Sequence, residues 1–69
     1  MKGTITVNGK GQAWRDVSVR ELLADAGIEP VKGGVAVAVN AAVVPRAAWE
    51  NTRIRAGDKI EIVRIVRGG

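Results

Sequence analysis

Cysteine and histidine are both missing from these 69 residues. Their absence leaves no thiolate nucleophile, no imidazole base, no disulfide framework and no usual zinc site. Carboxylates are few as well. The seven, Asp16, Glu21, Asp25, Glu29, Glu50, Asp58 and Glu61, are scattered singly and nowhere fall at metal-ligand spacing. The chain is therefore not expected to be an enzyme in its own right, to hold a metal or to bind a cofactor itself. Long apolar runs are also lacking, since nothing approaches the ~20 residues that a membrane span requires. Met1-Lys2 leads straight into an alternating pattern with no signal-peptide character, so the expected compartment is the cytoplasm, with no membrane partner. Aromatic residues amount to two isolated tryptophans, Trp14 and Trp49. Eleven Lys and Arg against seven acids give a net charge of +4, which raises nucleic acid as a partner. The basic residues are dispersed, however, and no aromatic RNA-stacking pair, GXXG loop or Arg-rich tract accompanies them, so no nucleic-acid partner is expected. A small basic nucleic-acid-binding domain stays as the remote alternative.

What is present fits one small domain, which at this size buries only about 60% of the surface its unfolded chain exposes. Thr4 to Asn8 alternates with period two, Ile5 and Val7 sharing a face, and the Gly-rich turn from Asn8-Gly9 through Lys10-Gly11 leads to a second strand at Gln12 to Arg15. Ser18 stands three residues before Glu21, the spacing of a capping box, with Val17 and Leu22 placed as a hydrophobic staple. Val19, Leu22, Leu23 and Ala26 form the expected core-facing stripe of this helix, and Gly27 is placed to end it in a left-handed conformation. Ile28 to Gly34, with Pro30 and Gly33-Gly34, reads as a loop. Val35 to Val39 is a strand, Asn40-Ala41 a turn, and Val43-Val44 a short strand stopped by Pro45. Arg46 to Asn51 is expected to make one helical turn carrying Trp49 inward, and both tryptophans are read as packing residues. Ala56-Gly57-Asp58 then turns the chain into a last strand, Lys59 to Val66. The expected fold is α+β, a mixed sheet of four to five strands with one main helix across one face and the other face largely solvated. If the second and third strands run parallel, their connection is a right-handed crossover. Leu22, Leu23, Val37, Ile60 and Ile62 are the expected core.

The end of the sequence carries the chemistry. Gly68-Gly69 follows directly on an apolar, Arg-punctuated strand, and glycine, lacking a Cβ, makes a thin tether able to enter a narrow active site. The chain is accordingly divided into a body, residues 1–66, and an Arg67-Gly68-Gly69 tail, with the Gly69 carboxylate as the group to be modified. Three extended residues reach about 10 Å. In the last strand Ile60, Ile62, Arg64 and Val66 share one phase, Lys59, Glu61, Val63 and Ile65 the other. Apolar side chains thus fall on both faces near the tail, and Val63, Arg64 and Ile65 are assigned to a docking patch for a partner.

The β-β-α-β-β-β order, the stretch VNxxVVPRxxW from Val39 to Trp49, the Gly57-Asp58 turn with Ile60-Glu61-Ile62 behind it, and Gly68-Gly69 together resemble the ThiS sulfur carriers of thiamine biosynthesis. The resemblance covers nearly the whole chain, and its discriminating part is the Val39 to Trp49 stretch, because a Gly-Gly end is shared with ubiquitin and with the molybdopterin-synthase small subunit MoaD. It implies a ubiquitin-like β-grasp fold and a monomeric carrier. It also implies three partners: a ThiF-type adenylyltransferase using ATP and Mg²⁺ on the Gly69 carboxylate, a sulfur donor such as a cysteine desulfurase that leaves a thiocarboxylate, and a ThiG-type thiazole synthase that takes the sulfur. Arg64 to Gly69 is also similar to the Arg-Leu-Arg-Gly-Gly tail of ubiquitin, so a protein modifier and a MoaD-like carrier are the alternatives. The four lysines, Lys2, Lys10, Lys32 and Lys59, carry no mark of a conjugation site.

Overall fold

The computed structural model describes residues 3–28 and 34–64. Five strands form one mixed sheet: β1 (Thr4–Val7), β2 (Lys10–Ala13), β3 (Val35–Val39), β4 (Ala42–Val44) and β5 (Lys59–Arg64), in the spatial order β2-β1-β5-β3-β4. β1 runs parallel to β5, while the β1–β2, β3–β4 and β3–β5 pairs are antiparallel. It follows that β2 and β3 share a direction with two strands between them, as a helical crossover requires. Among the described residues the strands are joined by one α-helix, α1 (Val19–Asp25), and a 3₁₀ helix, Arg46–Asn51. This is the β-grasp arrangement expected from the sequence.

Both hairpins close with two-residue turns, because Val7 pairs with Lys10 and Val39 with Ala42. Asn8 and Gly9 have φ of 52° and 83°, and Asn40 and Ala41 have 52° and 71°. Two positive φ values give a turn whose twist matches that of the strands it joins. Lys10 and Gly11, read from sequence as part of the first turn, are instead the first residues of β2. Asn-Gly alone suffices to reverse the chain.

The helix start is as the spacing predicts. Ser18 Oγ accepts from the Glu21 N–H at 3.1 Å and Glu21 Oε1 accepts from the Ser18 N–H at 2.8 Å. At the other end Gly27, with φ of 77°, lets its own N–H reach the Ala24 carbonyl and the Ile28 N–H reach that of Leu23, each at 3.0 Å. These are the two bonds of a Schellman motif. Ala26 is the C-cap residue and is exposed, not part of the core stripe expected of it. The helix ends before its face returns to the sheet.

The core lies between α1 and one face of the sheet. Ile5, Val19, Leu22, Leu23, Val37, Trp49, Ile54 and Ile60 are buried, and Val7, Trp14, Val17, Val44 and Ile62 pack around them. Of the five expected core residues four are buried, and Ile62 is half-buried at the edge. Each fully buried aliphatic side chain contributes about 1.5–3 kcal/mol relative to exposure. Trp49 donates from Nε1 to the Val44 carbonyl at 2.9 Å and Trp14 to that of Ile54 at 2.8 Å. Both indoles thus serve packing, and Arg46 lies over the Trp49 ring at 6.0 Å. No helix among the described residues is long and apolar enough to cross a membrane.

Candidate functional site

β5 is the element that leads to the tail. It lies in the middle of the sheet, paired with β1 on one side at Lys59 and Ile60 and with β3 on the other from Ile60 to Arg64. Two asparagines reinforce it. Asn40 Oδ1 accepts from the Lys59 N–H and its Nδ2 donates to Asp58, both at 3.0 Å. Asn8 Oδ1 accepts from the Ile62 N–H at 2.8 Å, just where β1 has turned away. Both come from hairpin turns, so the positive φ that suits Asn there also aims its amide at β5.

From Lys59 to Arg64 the phase assigned to the last strand holds, and its remaining positions, Ile65 and Val66, lie outside the described residues. Ile60 is fully buried and Ile62 half-buried against the helix side, while Lys59, Glu61 and Val63 are exposed. Val63 is 56% exposed and Val43, on edge strand β4, 74%. Between them the small side chains of Ala36 and Ala38 leave a shallow trough of about 320 Å³, also lined by Glu61, which stands in the same cross-strand row as Ala38 and Val43. Val63 and Arg64 are therefore at the surface, as a docking role needs. Val43 was not singled out from sequence, although its alternation against Val44 carries the signal. Ile65, Arg67, Gly68 and Gly69, the remaining residues assigned to the tail and its docking patch, lie outside the described residues.

The charged groups elsewhere pair across the exposed surface of the body. Arg53 Nη2 donates to Asp16 Oδ1 at 2.8 Å and to the Asp16 carbonyl at 2.7 Å, and its Nη1 lies 3.6 Å from Glu21. The bond to Asp16 raises the Arg53 guanidinium above its ordinary value. The Ser18 N–H, first, holds the Glu21 carboxyl below the usual 4.5, with the Ser18 hydroxyl, Arg53 and Arg15 adding to it against partial desolvation. Arg20 pairs with Glu50 at 2.6 Å, tying α1 to the 3₁₀ helix, and Arg15 pairs with Asp25. An open depression of about 520 Å³ is lined by Asn51, Thr52, Arg53, Arg55 and Asp58, but Asp58 there is spent on Asn40 and on the Arg55 N–H. Among the described residues no three His, Cys, Asp or Glu side chains are grouped to hold a metal ion.

The chain matches known proteins along nearly its whole length. The ThiS family model matches residues 5–69. The crystal structure of a thiamine biosynthesis protein (ThiS) from Geobacter metallireducens superposes with a TM-score of 0.79 at 30% identity, covering 96% of this chain and 99% of that one. The solution structure of a thiamine biosynthesis protein from the same organism gives 0.77 at 30% identity, covering 96% and 87%. No curated protein sequence matches the chain. With the family match spanning residues 5–69 and the fold superposing on that of the neighbours over nearly the whole chain, the chain belongs to the ThiS family.

Proposed function

We propose that the protein is a sulfur carrier of thiamine biosynthesis whose Gly69 carboxylate is the working group. The observation that carries the reading is the family match, which runs through Gly68-Gly69 to residue 69. A carboxylate resists nucleophiles because it is negatively charged and would have to expel oxide. A ThiF-type partner overcomes this by letting a Gly69 carboxylate oxygen attack the α-phosphorus of ATP, with Mg²⁺ bound to the nucleotide. Pyrophosphate leaves and an acyl-adenylate remains. A persulfide formed by a donor such as a cysteine desulfurase then adds through its terminal sulfur to the carbonyl carbon and AMP departs; a second thiol cleaves the resulting acyl disulfide, is itself oxidised to a disulfide, and leaves the carrier ending in a thiocarboxylate. A ThiG-type synthase takes that sulfur for the thiazole. The carrier's own contribution is a body that partners recognise and an arm, Arg67 to Gly69, slender enough to enter their clefts. Val63, Arg64 and Ile65 belong to the recognised surface, which the exposed Val43 and the alanine trough extend.

The decisive experiment is mass spectrometry of the C-terminal peptide purified from cells, together with ATP–pyrophosphate exchange by the adenylating enzyme of the same organism. The expected result is a terminal Gly69 carrying sulfur in place of one oxygen, and loss of both signals when Gly69 is deleted or one residue is appended after it. Isopeptide-linked Gly69 on lysines of other proteins would instead identify a modifier, and full sulfur loading of an extended tail would remove the carboxylate from the mechanism. Transfer to molybdopterin synthesis in place of thiazole formation would mark a MoaD-like role.

A further inference from the structure

The backbone of β5 leaves one stretch of sheet edge open. Asn40 donates to the Lys59 carbonyl, and with Ala38 opposite Glu61 and Ala36 opposite Val63 the groups of Lys59, Glu61 and Val63 face β3. Ile60, Ile62 and Arg64 therefore turn their N–H and C=O towards β1. The Asn8 N–H takes the Ile60 carbonyl at 2.9 Å and Asn8 Oδ1 takes the Ile62 N–H. There β1 stops, because Asn8-Gly9 bends the chain into β2. Past this point the Ile62 carbonyl and the Arg64 N–H have no partner among the described residues. Unpaired strand-edge groups are a template for another strand.

Their order fixes the geometry of what fits. An acceptor on Ile62 followed by a donor on Arg64 is bridged by one residue of a strand running parallel to β5, in the place β1 would have reached by continuing straight. In that register the preceding residue of the incoming strand lies beside Ile62 on the helix-facing side, as Val7 lies beside Ile60. A pocket of about 130 Å³ opens there, floored by Val7, Leu22, Ala26 and Ile62 and rimmed by the Arg15–Asp25 ion pair. Open backbone and apolar pocket are thus in phase with each other.

We propose that this notch receives an extended segment of the adenylating partner, which adds a parallel strand to β5, seats one apolar side chain in the pocket and bridges Ile62 and Arg64 with the backbone of the next residue. The proposal rests on Gly69 as that partner's substrate, since Arg64 leads directly into the arm the partner must grip. Backbone pairing gives such an addition its affinity and the pocket its selectivity.

The test compares Arg64→Ala, which keeps the N–H, with Arg64→Pro, which removes it without taking a bond from β3, and adds Ala26→Trp to fill the pocket. With the adenylating enzyme of the same organism in ATP–pyrophosphate exchange, Arg64→Pro is expected to raise KM about threefold to tenfold over Arg64→Ala, the effect of one lost backbone bond. Ala26→Trp is expected to raise it at least as much, with wild-type circular dichroism. Hydrogen exchange of the wild-type Arg64 amide, which does not depend on any variant folding, should slow only when the enzyme is added. Equal KM for the two Arg64 variants with a neutral Ala26→Trp overturns the proposal. So does an Arg64 amide already protected in the chain alone, whether independently of concentration, which assigns the notch to the chain's own residues, or rising with it, which assigns it to a second copy. If wild type supports no exchange at all, the carrier reading itself fails, a result distinct from these.

Discussion

Gly3 shows how much one missing carbon can matter in so small a body. A Cβ built there would overlap the Cβ of Ala56 and stand 3.4 Å from its Cα, in the turn that launches β5. The same strip carries the Gly57 N–H to Thr4 carbonyl bond at 2.7 Å and the Trp14 N–H to Gly3 carbonyl bond at 3.0 Å, so neither side is free to retreat. Gly3→Ala should therefore destabilise by about 1–3 kcal/mol, as overpacking does. Adding Ala56→Gly should recover part of the loss, giving a coupling of about 0.5–3 kcal/mol in a urea-denaturation cycle. Simple additivity would mean the two residues do not meet. Nothing in the sequence marks this contact, because the partners lie far apart along the chain. Ile54 was hidden for a related reason: it is 1% exposed but sits in an irregular stretch without periodicity, held by its N–H to the Val17 carbonyl at 2.9 Å.

Elements with a local chemical signature were legible. The capping box needs only Ser18 and Glu21 at the right spacing, the Schellman end only Gly27, and the first hairpin only Asn8-Gly9. The limits of these elements were less so, since Ala41 with its φ of 71° does without the usual glycine, and Ala26 fits the apolar stripe of a helix that stops before using it. The helix N-terminus is also bound to the rest of the chain, for the Val19 N–H donates to the Thr52 carbonyl at 2.9 Å and Ser18 bridges Arg53. Ser18→Ala is thus expected to cost about 1 kcal/mol in chemical denaturation. The Glu21 carboxyl adds a pH signature. Its folded pKa is depressed below 4.5, so the unfolded chain binds the proton more readily and stability rises with pH through that window. The contribution is complete above the unfolded value and is lost as pH falls through the folded one. Glu21→Gln should flatten this part of the stability profile. Ser18→Ala, which leaves the dominant Ser18 N–H in place, should raise the Glu21 pKa only part of the way to 4.5 in an NMR titration.

At the scale of the whole molecule the two faces of the sheet have different duties. One is filled by α1 and the core, and its residues follow from periodicity because burial imposes it. Among the described residues no helix covers the other, as the single main helical pattern in the sequence implies. What sequence did not reveal is how Val43 and Val63 come together: Ala38 opposite Val43 and Ala36 opposite Val63 in the β4-β3-β5 register put small residues between them, and register is a property of pairing, not of any one strand. If this face is kept apolar for docking, Val63→Glu should leave folding almost intact, because Val63 is 56% exposed and an exposed strand substitution changes stability by at most about 1 kcal/mol. The same change should raise the KM of the adenylating enzyme at least tenfold in pyrophosphate exchange, since a charge would have to be desolvated against an apolar partner surface. Val43→Glu, across the trough, should act in the same direction, and the pair should be less than additive once the first charge has already opened the interface. A stable Val63→Glu variant activated with wild-type KM would place recognition on another surface, whereas a loss of several kcal/mol would show that Val63 serves packing.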